Sequence, residues 1–355
     1  MVWWPPRSSA ERGCGIDKSF EFVEVPAMTR MIVASLSAAI LLAPVAVHAQ
    51  TPTTGSTATQ TIDTMNQVFG THPGYRANHA KGVVVEGTFK PSAEAASISA
   101  ATLFSAPSTP VTIRFSDATG VPTLPDAALS ASPHGMSMKF HMASGDVDVV
   151  VNSLPFFPVA TGEEFRDLLQ AIAASGPDAP KPTKLDQFVA AHPAVAKVGA
   201  TARSPTSFAR ETYNGVDAFI FVDGAGKRQP FRFKFVPVAG NDYFDAADIA
   251  KQPRDVLVTE LPQRLAKGPV TFQMMAQLAN PGDQTKDPSQ PWPADRRMAD
   301  MGTITITTAV ADSAAAEKAL RYLPNRLTPG IEMSDDPLIL ARVQAYLISF
   351  GRRAQ

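Results

Sequence analysis

The chain has 355 residues, a formal net charge of −1, 45% hydrophobic and 18% charged residues, which bounds it as a globular protein with one large core or two modest ones. No basic patch is interleaved with aromatics, so a phosphate backbone finds no electrostatic footprint and nucleic acid is excluded as a partner.

In chain order, Met28-Thr29-Arg30-Met31 precedes an apolar run from Ile32 to Val47 that ends in Val47-His48-Ala49. A basic flank, an apolar stretch and a small-residue site form the pattern of a cleaved secretory signal. The run is short for a spanning helix and gives way to polar residues from Thr51 to Gln60, so cleavage near Gln50 is preferred over a membrane anchor. Residues 1–49 are therefore expected to be an upstream extension plus signal, 50–64 a linker, and 65–355 a single domain. The only cysteine, Cys14, falls in the removed part. A mature chain without thiols suits a periplasmic or secreted location, where free thiols are easily oxidised, and leaves no membrane contact after cleavage.

Past the linker, Val83 to Phe89, Val111 to Phe115, Ser137 to His141 and Asp146 to Val151 read as neighbouring strands. Thr161 with Glu164 opens a helix that ends near Ser175-Gly176-Pro177, and a second helix spans Lys184 to His192. Phe219 to Val222, the turn Asp223-Gly224-Ala225-Gly226 and the alternating Phe231, Phe233 and Phe235 predict a hairpin. Further strands follow at Val270 to Leu278 and Thr303 to Thr308, separated by an ordered loop from Asn280 to Pro293. Helices return at Ala314 to Tyr322 and Pro337 to Phe350. Strands first and helices last favour an α+β fold with an antiparallel sheet. No Gly-x-Gly-x-x-Gly or Walker sequence follows a predicted strand, so nucleotide binding is unsupported.

On the last helix, Arg342 and Tyr346 lie one turn apart. A phenol titrates near 10, so tyrosine binds a metal as phenolate at neutral pH only where something nearby favours the anion, and a guanidinium at i−4 does so. By itself the spacing is weak, and describes a solvated helix face more often than a metal ligand and its partner.

Four segments together resemble the haem catalases. Arg76-Ala77-Asn78-His79 through Phe89 is similar to the distal-histidine segment, and Ile113-Arg114-Phe115-Ser116 to the strand after it. Asp148 to Phe157, with Asn152 and Pro155, is similar to the distal-asparagine segment, and Asp336-Pro337 through Arg342 and Tyr346 to the proximal one. They occur in the family's order over roughly residues 65–350, at the length of the catalase-related peroxidases.

The resemblance implies a catalase-like antiparallel β-barrel core with helices and the proximal haem-ligand helix near the C-terminus. It implies haem b, with Tyr346 on the iron, as tyrosine is in catalase, and Arg342 pairing with the phenolate. His79 becomes the distal base, Ser116 the group that fixes its tautomer, and Asn152 a donor to peroxide. Arg76 and Arg114, with Arg353 as a third, would pair with the haem propionates. Phe165 would lie against the haem, and Phe156 and Phe157 would line the distal pocket.

The short form lacks the later helical region and flavodoxin-like domain of longer catalases. That implies readier access for small organic electron donors, weaker dismutation of hydrogen peroxide, and no basis for NADPH. The expected activity is a haem peroxidase using hydrogen peroxide. Two alternatives stay open: a periplasmic haem- or lipophile-binding barrel without turnover, and a fatty-hydroperoxide-converting enzyme on the same scaffold. His72, His134, His141 and His192 have no partner at metal-ligand spacing and are read as structural or surface residues.

Overall fold

A computed structural model describes residues 55–353. The expected signal segment, the upstream extension and Cys14 lie outside the described residues. Strands β1 (Gly82–Pro91), β2 (Thr109–Asp117), β3 (His134–Phe140), β4 (Val147–Asn152), β5 (Tyr213–Asn214), β6 (Phe219–Val222), β7 (Arg228–Pro237), β8 (Val270–Leu278), β9 (Met298–Ala309) and β10 (Ile331–Met333) form one antiparallel sheet. Its order is β10-β6-β7-β5-β4-β3-β2-β1-β9-β8, and a β7–β8 pairing joins eight of the strands into a closed barrel. The expected α+β barrel with the four early strands side by side is thus what forms.

An eight-stranded barrel is just wide enough for side chains to fill its interior. Strict alternation along β8 buries Val270, Phe272, Met274, Ala276 and Leu278. Phe89, Phe115, Phe140, Tyr213 and Phe235 fill the same core. The interior is therefore packed, and the alternative of a lipophile enclosed within the barrel finds no room there.

The strands β2, β3 and β4 are two-faced. Ile113, Phe115, Met136, Met138 and Val149 point into the core, so by the period of two their neighbours Arg114, Ser116, Gly135, Ser137, Val150 and Asn152 point outward. Three helices cover that outer face: Thr57–Phe69, Gly162–Ala173 and Pro337–Arg353. They meet through Ile62, Met65 and Leu169, with Phe165, Ala345 and Ile348 packed alongside.

The helix Thr57–Phe69 begins within the stretch 50–64 read as linker and continues past position 65. Ser56 Oγ caps it by accepting from Thr59 N–H at 3.3 Å. Its threonines do not disrupt it, because the Thr61 and Thr64 hydroxyls donate to the Thr57 and Gln60 carbonyls at 2.8 Å. Thr161 caps the helix Gly162–Ala173 as expected, accepting from Glu164 N–H at 3.1 Å. The Glu164 carboxylate reaches past the cap to accept from Ala160 N–H. The helix Ser313–Ala319 stops three residues short of Tyr322, since Leu320 is extended.

Candidate active site

Between the outer face of β2–β4 and the three helices lies a cavity of about 530 Å³. Nine of the side chains singled out from the sequence line it: Arg76, His79, Arg114, Ser116, Asn152, Phe165, Arg342, Tyr346 and Arg353. Phe157 lines it too, its ring centroid 5.2 Å from that of Phe165. Phe156 does not. It packs with Leu154 and Val198 in a separate cluster, correcting its expected place in the pocket.

Register builds one end of the cavity. Ser116 pairs with Gly135 and Gly135 with Asn152, so the three form a row across adjacent strands on the outer face. The His79 imidazole lies over the glycine in the middle. A Cβ at 135 would sit 2.9 Å from Ser116 Oγ and 3.0 Å from His79 Cε1 and Nδ1, a space only glycine leaves. His79 Nδ1 shares a 3.0 Å hydrogen bond with Ser116 Oγ, leaving Nε2 for a ligand. Asn152 Oδ1 accepts from Leu154 N–H at 2.9 Å, which frees its amide N–H groups to donate.

Among the described residues, His79 is the one non-glycine with positive φ, at 57°. Such a conformation costs on the order of 1–3 kcal/mol and persists where its surroundings fix it. Here Arg114 donates to the His79 carbonyl at 2.9 Å, and Ala80 N–H to Thr119 O at 2.8 Å. Burial, then Arg114 and Arg76, push the imidazole pKa down to about 3, so the ring is neutral at pH 7.

At the helical wall, Arg342 Nε donates to the Tyr346 hydroxyl at 3.2 Å. Asp217 pairs with the same guanidinium, and Val150 O accepts from it. Burial opposes the charge of Arg342, but Asp217 and Tyr346 outweigh that cost and raise its pKa. A phenol facing a permanent cation is suited to bind a metal as phenolate.

Arg76 and Arg114 both donate to Glu317 Oε2, at 3.3 and 2.7 Å. Leu320 O accepts from Arg76 and from Arg353. The pKa of Arg76 lies well below the usual range because of burial and the cations Arg114 and Arg353. Arg353 is lowered to about 10 by burial and Arg114. Two guanidiniums thus share the Glu317 carboxylate, Arg353 stands near it without an ion pair, and the two positive charges left over among the four groups match the two propionates of a haem. Arg353 Nε and the Tyr322 hydroxyl are buried without a partner among the described residues, two donors awaiting acceptors. Burial drives the Tyr322 pKa up, so the hydroxyl keeps its proton. The residues present therefore fit a haem.

Sequence reasoning missed Asp217, Glu317 and Tyr322. Glu317 sits in an alanine-rich helix with nothing to distinguish it, and Asp217 is brought to Arg342 only by tertiary packing. The remaining histidines are structural: His134 is buried 2.8 Å from Glu211, whose carboxylate overcomes the burial cost and raises its pKa. His141 bonds Thr112 and Asp146, His192 stacks on Phe188, and His72 contacts Phe69 O.

The model of the catalase family matches residues 50–353. A catalase-related peroxidase of Synechococcus elongatus is 33% identical over 327 residues, covering 91% of this chain and 95% of that protein. One of Mycolicibacterium paratuberculosis is 34% identical over 304 residues, covering 84% and 95%. A solved bacterial catalase superposes with a TM-score of 0.70 at 22% identity, covering 79% of this chain and 57% of that one. For catalase A from Saccharomyces cerevisiae the values are 0.69, 18%, 79% and 61%. This chain spans about three fifths of those two solved chains, and their likeness shows the shared fold. Matched by the family's model over most of its length and by two peroxidases of nearly its own extent, the chain belongs to the catalase family, as a haem oxidoreductase acting on peroxide.

Proposed function

We propose that the protein is a haem b peroxidase that spends hydrogen peroxide on small organic donors, by the balance H2O2 + 2 AH → 2 H2O + 2 A•, with weak dismutation beside it. When bound, the haem iron supplies the means of storing two oxidising equivalents between peroxide and donor. Tyr346 is the residue to hold that iron, with Arg342 keeping the phenol as anion. Arg76, Arg114 and Arg353 would hold the propionates, and Phe165 would pack on the ring.

His79 is the base. Neutral at pH 7, with Nδ1–H donated to Ser116, it offers the Nε2 lone pair to one peroxide proton and returns it to the departing oxygen, so that water rather than hydroxide leaves. Asn152 donates to the other oxygen from a fixed position, adding a dipole but no proton. The observation that carries this reading is the Ser116–Gly135–Asn152 row under His79 in the same cavity as the Arg342–Tyr346 pair.

The test is His79→Ala. It is expected to retain haem while peroxide-driven oxidation of a phenolic donor falls by about 10²–10⁴-fold, whereas Tyr346→Phe releases haem or changes its spectrum. Full activity in His79→Ala overturns the mechanism. A fatty hydroperoxide run in parallel distinguishes the alternative enzyme.

Export belongs to the same proposal, supported by the signal-like pattern from Met28 to Ala49. N-terminal sequencing of periplasmic protein is expected to read from near Gln50, and a cytoplasmic, uncleaved product would refute it.

A further inference from the structure

One cation at the cavity is left over. Arg76, Arg114 and Arg353 against Glu317 leave two positive charges, which two propionates neutralise. Arg321 also lines the cavity, half-buried, and among the described residues it enters no ion pair. Its guanidinium lies 5.2 Å from the Phe350 ring centroid, and Arg353 lies 4.8 Å from the same ring. Phe350 therefore carries two guanidiniums, an arrangement that fixes their planes.

Among the described residues the only carboxylate lining the cavity is Glu163, which accepts from Thr57 Oγ1 at 3.1 Å. It does not compensate Arg321. Its neighbour Gly162 lies against Ala341, since a Cβ there would be 2.6 Å from Ala341 Cβ. Arg353 is further along the same helix by about 18 Å at 1.5 Å per residue, beyond a Debye length of about 10 Å at 0.1 M salt.

Resting on the peroxidase reading above, we infer that the organic donor is an anionic aromatic, a phenol bearing a carboxylate, bound at the Arg321–Phe350 edge of the cavity. The carboxylate meets the planar guanidinium in a two-point pair, and the aromatic ring meets the edge of Phe350. Each such phenol gives up one electron and one proton, two phenols per peroxide. Net positive potential at a cavity mouth also raises the arrival rate of anions at low salt.

The test is calorimetric titration of the ferric haem-loaded protein with 4-hydroxybenzoate and with 4-hydroxybenzamide, which differ in charge but little in shape. The anion is expected to bind about ten-fold more tightly at low salt, with the preference shrinking at 0.5 M salt. Arg321→Gln should bring the two within about two-fold while haem content stays at the wild-type level. Arg321→Glu should reverse the order, so that tyramine, a cationic phenol, binds more tightly than the benzoate.

Equal binding of benzoate and benzamide by the wild type, no benzoate binding at millimolar concentration, or a ten-fold preference surviving in Arg321→Gln would each overturn the inference. So would loss of haem from Arg321→Gln, because Arg321 would then be a propionate partner. Failure of the peroxidase reading is a separate result: the anion preference persists, yet peroxide oxidises no donor.

Discussion

An alanine at 135 is the most economical way to ask whether the row beneath His79 positions it. The added Cβ would stand 2.9 Å from Ser116 Oγ and 3.0 Å from two atoms of the imidazole, where comfortable carbon contacts begin near 3.5 Å. The ring must retreat by roughly 0.5 Å or more, which stretches its 3.0 Å bond to Ser116 to the edge of hydrogen bonding. His79 cannot follow as a unit, since Arg114 pins its carbonyl and its φ is already positive. Overpacking of this kind costs about 1–3 kcal/mol of stability, and a misplacement approaching 1 Å costs up to about 10² in rate. Gly135→Ala is therefore expected to lower kcat/KM for peroxide-driven oxidation by about 10–100-fold, equal to about 1.4–2.7 kcal/mol, with haem content preserved. Stopped-flow turnover and urea melts measure the two effects. Gly176→Ala, whose Cβ would meet nothing within 4 Å, serves as the control. Wild-type turnover in a folded Gly135→Ala would refute the claim that this row sets the imidazole.

Three further outcomes are expected. Tyr322→Phe removes a buried hydroxyl that has no partner among the described residues, so the haem-free protein should melt higher, while haem transfer to apomyoglobin should quicken about ten-fold through loss of a charge-assisted bond. His79 titrates near 6.5 when unfolded and at about 3 when folded. As pH falls through that window the unfolded chain binds a proton the folded chain refuses, so haem-free stability should drop by about 2 kcal/mol at pH 5, as urea melts of wild type and His79→Gln would reveal. Asp336 has the opposite sign: burial and Asp217 raise it to about 8, so stability is lost as pH rises from about 4 toward 8. Asp336→Asn, which keeps the acceptor for Leu338 N–H, should flatten that alkaline loss in melts at pH 6 and 9.

What could be read from the sequence followed local periodicity. The alternation from Val270 to Leu278 and the Phe231, Phe233, Phe235 pattern declare strands because every second residue enters one core. Thr57–Phe69 was hidden because its composition is that of a linker. Its threonines satisfy their hydroxyls on the helix's own carbonyls, and its apolar side chains find their partners only on distant helices. That nine distant residues line one cavity was legible only through their joint resemblance to one family, whereas Glu317 and Asp217 carry no local signal. Each is defined by the arginine it neutralises, more than a hundred residues away from Arg342 for Asp217 and more than two hundred from Arg114 for Glu317.

The barrel's closed core and the Ser116–Gly135–Asn152 row are opposite faces of the same three strands, and this decides how damage travels. Phe115 stacks on Phe208 inside the barrel, with ring centroids 5.7 Å apart, and its chain neighbours Arg114 and Ser116 hold His79 from outside. A cavity opened at Phe115 would be felt at the imidazole through a shift of one strand, although no atom of Phe115 lines the site. A change at Phe156, packed with Leu154 and Val198 in its own cluster, lacks that route despite lying only four residues past Asn152. Proximity in sequence to the row is therefore a poor guide to catalytic effect; membership of β2, β3 or β4 is the better one, because a pleated strand cannot move one face without the other.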